Sequence, residues 1–432
     1  MSFASLGLCD ALLKAVTEQG YTTPTAIQLE AIPAVLSQRD LMAAAHTGTG
    51  KTASFTLPMV QLLSGGACPK ALHVRALVIT PTRELAAQVT ESVENYSRHM
   101  NIRSSAVFGG VRIEPQIAAL QEGLDVLVAT PGRLLDLYRQ GAVKFDELEI
   151  LVLDEADRML DMGFIDDIRR IQTLLPAKRQ TLMFSATFSK EVKSLAEGMF
   201  NDPLLIEMAS ENSTAATIKQ VIHLVDKERK SALLIDLIKR NKWHQVLVFS
   251  RTKKGADSLV IELESAGITA DSIHANRMQH ARTRALEGFR SEKIVVLVAT
   301  DIAARGIDVS QLPCVVNFDL PYVAEDYVHR IGRTGRAGSS GLAVSLVSED
   351  EYKQLKLIEE LIGSKLERKI IRGFMPSEKP AKEKAVTTEF DDDEYGSFEP
   401  DSKPNANLKP RRRGQGQSRG KRGGKSSNRN RR

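Results

Sequence analysis

Short apolar, β-branched runs recur along this chain, each followed by a polar or glycine-containing stretch and then by helix-compatible sequence. That rhythm leaves few folds open. Strands alternating with helices build parallel sheets covered on both faces, an α/β class. In the first half the runs are Leu41 to Ala44, Ala76 to Thr80, Val126 to Ala129, Ile150 to Leu153 and Thr181 to Phe184. The stretches behind them read HTGTGKT, PTRELA, TPGR, DEAD and SAT, so every polar motif falls at the carboxyl end of an expected strand, where open α/β sheets place ligand crevices. The second half repeats the pattern with Val246 to Phe249, Ile294 to Val298, Cys314 to Phe318 and Ala343 to Val347, accompanied by SRT, ATDIAARGID and HRIGRTGR.

A chain of 432 residues exceeds the size at which one core keeps growing, so two globular domains are expected. Ser210 to Thr217, SENSTAAT, lacks any apolar period and reads as the linker between them. Charge is concentrated at the carboxyl end. Lys403 to Arg432 holds twelve Lys or Arg and no acid, and Ser377 to Ser402 holds nine acids against three Lys, so the body carries little of the net charge of +5. From Lys409 onward the tail has no apolar residue to offset the entropy of ordering. It is expected to be disordered and to bind polyanions, a purely solubilising role being the alternative.

Cys9, Cys68 and Cys314 are widely spaced and form no CxxC pair, the pattern of buried thiols in a reducing compartment. The amino-terminal residues lack a basic segment followed by an apolar one, and no run approaches the length of a membrane span, so a soluble cytoplasmic protein is expected.

The motifs carry a definite chemistry. Ala45 to Thr52, AHTGTGKT, fits a phosphate loop except that Ala45 replaces its first glycine. Gly48 and Gly50 permit the turn that aims backbone N–H groups at a β-phosphate, Lys51 has the reach for β and γ oxygens, and Thr52 offers a hydroxyl to Mg²⁺. Taken alone, such a loop is also an ordinary strand-to-helix turn; DEAD at Asp154 to Asp157 supplies the carboxylates it lacks. Asp154, behind a buried strand, suits Mg²⁺ held through water, and Glu155 suits orienting and deprotonating an attacking water. Arg330, Arg333 and Arg336 bring guanidinium groups from the second half, and an arginine finger contributes about 10³ to 10⁵ in rate. These features imply nucleoside triphosphate hydrolysis that requires closure of two domains.

In order the chain shows GYTTPTAIQ, AHTGTGKT, PTRELA, Gly109-Gly110, TPGR, DEAD, SAT, a QxxR at Gln279 to Arg282, ATDIAARGID and HRIGRTGR. The series resembles the DEAD-box ATP-dependent RNA helicases over roughly residues 1 to 375, and the opening MSF with LGL and the MLDMGF after DEAD are similar to the bacterial RhlE subgroup. The resemblance implies two tandem RecA-like domains: an adenine-recognition segment 1–29, a first domain 30–209, the linker 210–217, a second domain 218–375 and a disordered tail 376–432.

It also implies roles. Gln28 would read adenine, its amide donating to N7 and accepting from N6; Tyr21 and Phe3 are similar to aromatic positions of that pocket, core packing being the alternative for either. The nucleotide would contact Ala45, His46, Thr47, Gly48, Thr49, Gly50, Lys51 and Thr52, with Asp308 at the ribose. Ser185, Ala186 and Thr187 resemble a coupling element that bonds Asp157 and His329. Pro81, Thr82, Arg83, Gly109, Gly110, Thr130, Pro131, Gly132 and Arg133, with Arg282, Thr300 and Asp301 from the second domain, would meet RNA through phosphate and 2′-OH groups, without base readout. His46, where the family commonly has glutamine, and HANRM before QxxR depart from the pattern. The expected activity is RNA-stimulated ATP hydrolysis that locally unwinds short duplexes, with ATP and Mg²⁺ as cofactors. An ATP-gated RNA clamp or annealing factor, motivated by the basic tail, and a DNA helicase are the alternatives. Ribosome precursors and RNA-decay assemblies are both compatible settings.

Overall fold

The computed structural model describes residues 2–45, 48–208, 218–304, 312–335 and 341–377. His46, Thr47, the 210–217 connector, Asp308, Arg336 and the tail lie outside the described residues.

The expected runs are strands, and they fall into two separate seven-stranded sheets. The first holds β1 (Leu41–Ala44), β2 (Val74–Ile79), β3 (Ser104–Val107), β4 (Leu124–Ala129), β5 (Ile150–Asp154), β6 (Gln180–Ser185) and β7 (Leu204–Glu207), in the order β3-β4-β2-β5-β6-β1-β7. The second holds β8 (Ile218–Leu224), β9 (Val246–Phe249), β10 (Ala270–Ile273), β11 (Val296–Ala299), β12 (Cys314–Asn317), β13 (Gly341–Val347) and β14 (Glu367–Lys369), ordered β10-β11-β9-β12-β13-β8-β14. Their pairings are all parallel.

A parallel sheet with helices on both faces buries alternate residues in opposite cores. Along β2, β4 and β5, residues Ala76, Val78, Val126, Val128, Ile150 and Val152 enter one cluster, while Leu77, Ile79, Leu127, Ala129, Leu151 and Leu153 enter the other. In the second lobe Val246, Val248, Val296 and Val298 face one core and Leu247, Phe249, Leu297 and Ala299 the opposite one. Phe3 is buried in the first-lobe core beside Leu6 and Leu12, so core packing describes it. Of the cysteines only Cys314 is buried; Cys68 is exposed, contrary to expectation, because it follows the end of the helix Lys51–Ser64 in a surface connection.

Register brings the polar motifs to one rim. Ala44 pairs with Ser185, and Asp154 with Phe184, so the ends of β1, β6 and β5 lie within one residue of each other. In the second lobe Phe249 is level with Ala299 and Asn317, and Ile273 with Ala299, aligning SRT, ATD and the residues leading to QxxR.

Candidate functional site

The phosphate loop leaves β1 through Ala45, whose N–H donates to the Ser185 carbonyl at 3.0 Å. Gly48 and Gly50 sit at φ 84° and 91°, left-handed conformations that only glycine adopts without strain. Gly50 caps the helix Lys51–Ser64, so the N–H groups of the first helical turn stand at the end of the loop, a position that attracts phosphate. Lys51 is buried and donates to the carbonyls of Ala45 at 2.6 Å and Ser185 at 3.5 Å. Burial pushes its ammonium down from the usual lysine range, against the opposing pull of Glu155, Asp154 and Asp157.

Asp154 ends β5 and is 2% exposed. Burial first, and the adjacent Glu155 carboxylate second, push it well above the usual carboxylate range, with Lys51 acting the other way. Glu155 turns the chain from strand to helix at φ 57°, ψ 52°, an uncommon conformation for a residue with a Cβ. Its Oε2 accepts from Arg158 Nη1 at 3.0 Å in a buried pair. Asp157 Oδ2 accepts from the Ala186 N–H at 3.1 Å, and the Ser185 hydroxyl donates to the Thr187 carbonyl at 2.8 Å, so DEAD and SAT are bonded to each other. Asp157 Oδ1 is buried without a partner among the described residues. His329 has its Nδ1 3.9 Å from Asp326 and lines a cavity with Arg158.

Gln28 joins this loop from the amino-terminal segment. Its Oε1 accepts from the Thr25 N–H at 3.0 Å, half of a capping box on the helix Ala26–Leu36, and its Nε2 donates to the Gly50 carbonyl at 3.2 Å. An amide has two lone pairs and two N–H bonds, so each end keeps one more hydrogen bond to give. Tyr21 is half-exposed nearby in sequence.

A small cavity between the lobes is lined by Arg158 of the first and by Phe249, Asp301, His329, Arg330 and Arg333 of the second. Arg330 is committed: it is 2% exposed, bidentate on Asp301 at 2.6 and 2.7 Å, bonded to Asn317 and the Asp319 carbonyl, and stacked 4.9 Å over Phe249. That network makes Arg330 a strut of the second lobe and occupies the carboxylate of Asp301. Arg333, 8% exposed, also lines the cavity.

Further along the seam, Arg83 Nη1 donates to Gln279 Oε1 at 3.2 Å, Gln279 Nε2 to Glu84 Oε1 at 3.0 Å, and Arg282 Nη2 meets Glu84 Oε2 at 2.9 Å. These bonds tie the lobes directly. Burial lowers the Arg282 guanidinium from its usual range while Glu84 sustains it. Gly110, at φ 78°, lies against Arg83, where an added Cβ would stand 2.2 Å from Nη1. Thr82 accepts from the Leu85 N–H at 3.2 Å, capping the helix Arg83–Ser97. Thr130 precedes a second helix that starts with Pro131 and Gly132, and Arg133 of that helix reaches the Val111 carbonyl at 3.1 Å beside the glycine pair. Among the described residues Arg133 Nη1 and Arg282 Nε are buried donors without partners, and Thr300 is buried at the start of the helix Asp301–Ala304. Glu84 and Arg158 lie at this seam although motif reading did not single them out, and Gln279 was read only as the start of QxxR, without a role. Charge inside PTRELA and directly after DEAD was the available signal.

A phosphate loop on β1, carboxylates ending β5 and a second parallel-sheet lobe meeting them define a two-lobed phosphate-loop NTPase with tandem RecA-like folds. Residues 25–195 match the DEAD/DEAH box helicase family and residues 229–338 the helicase conserved C-terminal domain. The chain is 40% identical over 366 residues to the DEAD-box ATP-dependent RNA helicase RhpA of Helicobacter pylori, covering 85% of this chain and 73% of that one. It is 41% identical over 370 residues to the ATP-dependent RNA helicase RhlB of Pseudomonas syringae, covering 84% and 93%. Among solved structures, Saccharomyces cerevisiae Dbp5 bound to RNA and ADP BeF3 superposes with a TM-score of 0.75 at 32% identity, covering 87% of this chain and 95% of that one. A DEAD box protein from Methanococcus jannaschii, at 38% identity and 85% and 99% coverage, gives 0.50. The chain belongs to the DEAD-box ATP-dependent RNA helicases, enzymes that hydrolyse ATP. These relatives establish the family and do not assign the RhlE subgroup. No described helix is long and apolar enough to cross a membrane.

Proposed function

We propose that RNA and ATP draw the two lobes together and that this closure both completes the hydrolytic site and bends one RNA strand until a short duplex parts. The observation that carries the reading is the convergence of Lys51, Asp154 and Glu155 on one rim, with Arg333 of the other lobe lining the cavity that Arg158 also lines. Lys51 and the N–H groups of His46 to Thr52 hold the β and γ phosphates, the Ala45 N–H being committed to the Ser185 carbonyl. Gln28 uses its remaining amide valences on adenine, Tyr21 flanks the base, and Asp308 takes the ribose. Glu155 orients the attacking water and takes its proton. Arg333 and Arg336 meet the charge that develops on the transferred phosphoryl group.

Thr52 and Asp154 are oxygen donors of the type that Mg²⁺ takes, and Asp154, buried against a second carboxylate, has charge that a divalent cation relieves. The cation, when bound, neutralises β and γ oxygens. The Asp157 bond to Ala186 links DEAD to Ser185 and Thr187, and the unpartnered Asp157 Oδ1 is the acceptor that His329 reaches when the second lobe seats. RNA lies along Pro81, Thr82, Arg83, Gly109, Gly110, Thr130, Pro131, Gly132 and Arg133 and across to Arg282, Thr300 and Asp301. The partnerless donors of Arg133 and Arg282 support phosphate contacts there. The basic tail adds electrostatic capture of RNA, and the protein works in the cytoplasm on ribosome precursors or RNA-decay assemblies.

The test is steady-state ATP hydrolysis by the full chain without nucleic acid, with single-stranded RNA, and with DNA of the same sequence. RNA alone should stimulate strongly. Activity indifferent to both nucleic acids refutes closure as the gate, and equal stimulation by DNA refutes a decisive 2′-OH contact. Glu155→Gln should keep ATP and RNA binding and lose turnover.

A further inference from the structure

We propose that Arg158 is a positioning residue for ATP hydrolysis: its guanidinium holds the Glu155 carboxylate in the orientation from which it takes the proton of the attacking water. This rests on the role given to Glu155 above. In that step the water oxygen bonds the γ-phosphorus, the bond from phosphorus to the β,γ-bridging oxygen breaks with its electron pair leaving on ADP, and the proton passes through Glu155 to solvent. The rate then depends on where one carboxylate points.

The backbone does not by itself fix that direction. Glu155 stands alone in left-handed conformation between the last residue of β5 and the helix Ala156–Asp161, and a residue with a Cβ persists there only where its surroundings hold it. What holds the side chain is Arg158. The Nη1 to Oε2 distance is 3.0 Å, with side chains 3% and 10% exposed, so little water competes for the pair. The bond uses one carboxylate oxygen and leaves the other for the reacting water. Arg158 also acts on the same charge cluster: its cation bears on both Lys51 and Asp154.

Packing alone does not require this residue. A buried ion pair is no more stabilising than well-fitted apolar side chains of the same volume, because desolvating two charges offsets their attraction. An arginine at this spot therefore points to a task that needs a fixed, planar donor. Its position gives that task a place in the cycle: Arg158 is the first-lobe lining of the cavity whose other walls include Asp326, His329 and Arg333. The group that orients the base thus sits where the second lobe closes.

Arg158→Met, which keeps length and removes the donor, and Arg158→Lys, which keeps the charge, would be measured with Glu155→Gln and the Arg158→Met, Glu155→Gln double variant. The assays are RNA-saturated steady-state ATP hydrolysis, binding of a fluorescent ADP analogue and thermal melting. Misaiming a reacting group by an ångström costs about 10²-fold, so Arg158→Met should lose about tenfold to a hundredfold in kcat. Its KM for ATP and its ADP affinity should stay close to wild type, while its melting temperature falls because Glu155 stays buried without its partner. Arg158→Lys should recover part of the loss, and Arg158→Met should add nothing to Glu155→Gln. Wild-type kcat in Arg158→Met overturns the proposal, as does a kcat loss matched by lost ADP affinity, or a loss that multiplies in the Glu155→Gln background. Should Arg158→Met not fold, the lysine variant decides: lowered kcat at unchanged melting supports positioning, and wild-type kcat refutes it. Turnover retained by Glu155→Gln alone would instead remove the role of Glu155, an outcome read separately from the Arg158 variants.

Discussion

Replacing Glu84 by alanine should open the lobes without unfolding either of them. Glu84 is 8% exposed and accepts from two second-lobe donors, Arg282 Nη2 at 2.9 Å and Gln279 Nε2 at 3.0 Å. In Glu84→Ala the Arg282 guanidinium, already carrying a buried Nε without a partner, loses its carboxylate. Stripping one member from a buried ion pair costs about 3–5 kcal/mol when the other must stay buried. Here it need not stay buried, because separation of the lobes returns it to water. The penalty therefore falls on closure, and 3 kcal/mol corresponds to about a hundredfold in the closing equilibrium. The assay is Förster transfer between one dye on each lobe, titrated with RNA in the presence of a non-hydrolysable ATP analogue. The RNA midpoint for closure should rise about a hundredfold, with the melting of each lobe unchanged, and Glu84→Gln, which keeps an acceptor for Gln279, should fall between. A midpoint within about threefold of wild type would mean that the pair stays hydrated or does not act in the closed state, and would exclude Glu84 as a clasp between the lobes.

Gly50→Ala places a Cβ 2.3 Å from Gln28 Nε2 at a φ of 91°, so strain of about 1–2 kcal/mol and loss of the Gln28 bond should weaken ATP binding at least tenfold, measured with a fluorescent analogue. Asp301→Asn removes the charge facing the buried Arg330 and should destabilise the second lobe by about 2–4 kcal/mol in urea unfolding, since the guanidinium cannot escape without unfolding. His223 is buried on β8 beside Lys369, and burial followed by that ammonium lowers it to about 4 from 6.5. A depressed pKa means that the unfolded chain binds the proton first, so stability present above pH 6.5 is lost as pH falls toward 4, by up to about 3 kcal/mol. His223→Gln should flatten that part of the pH–stability curve relative to wild type. Removing residues 403–432 should lower the slope of log affinity against log salt by about 0.7 for each lost phosphate contact on single-stranded RNA; an unchanged slope would exclude the tail from binding.

The strands legible in the sequence are those buried at every position, and burial is why they were legible. Runs such as Ile150 to Leu153 and Val246 to Phe249 have apolar cores on both sides and tolerate no polar residue. The strands that apolar runs did not announce are mostly at edges: β3 reads SSAV, β10 ADSI and β14 ERK, bonded on one side and partly exposed. β8 is internal, yet its Lys219 and Gln220 interrupt the pattern where its first residues reach water. Site residues divide in a similar way. Lys51, Asp154 and Glu155 could be read because their motifs lie at the carboxyl ends of β1 and β5, and the sheet's register fixes where strand ends go. The pairing of Asp301 with Arg330, 29 residues apart, and that of Glu84 with Arg282 across the seam arise from tertiary packing, which no local spacing encodes.

The same pairings explain how such a site is ready before its ligands arrive. Lys51 rests on the carbonyls of Ala45 and Ser185, Gln28 on Thr25 and Gly50, Thr82 on its own helix, and Asp157 on Ala186. Each group is thereby held near the rim by bonds that stronger partners can replace or join, because hydrogen bonds to a charged phosphate exceed those to a neutral carbonyl. Ligand binding then exchanges bonds and orders few new side chains, so the entropy lost on closure is small. The bonds that do not exchange, Arg330 on Asp301 and Glu155 on Arg158, sit at the seam itself. Rigid there and replaceable around the ligands, the arrangement fits the proposed role of lobe closure as the step at which binding free energy is converted into alignment of the reacting groups.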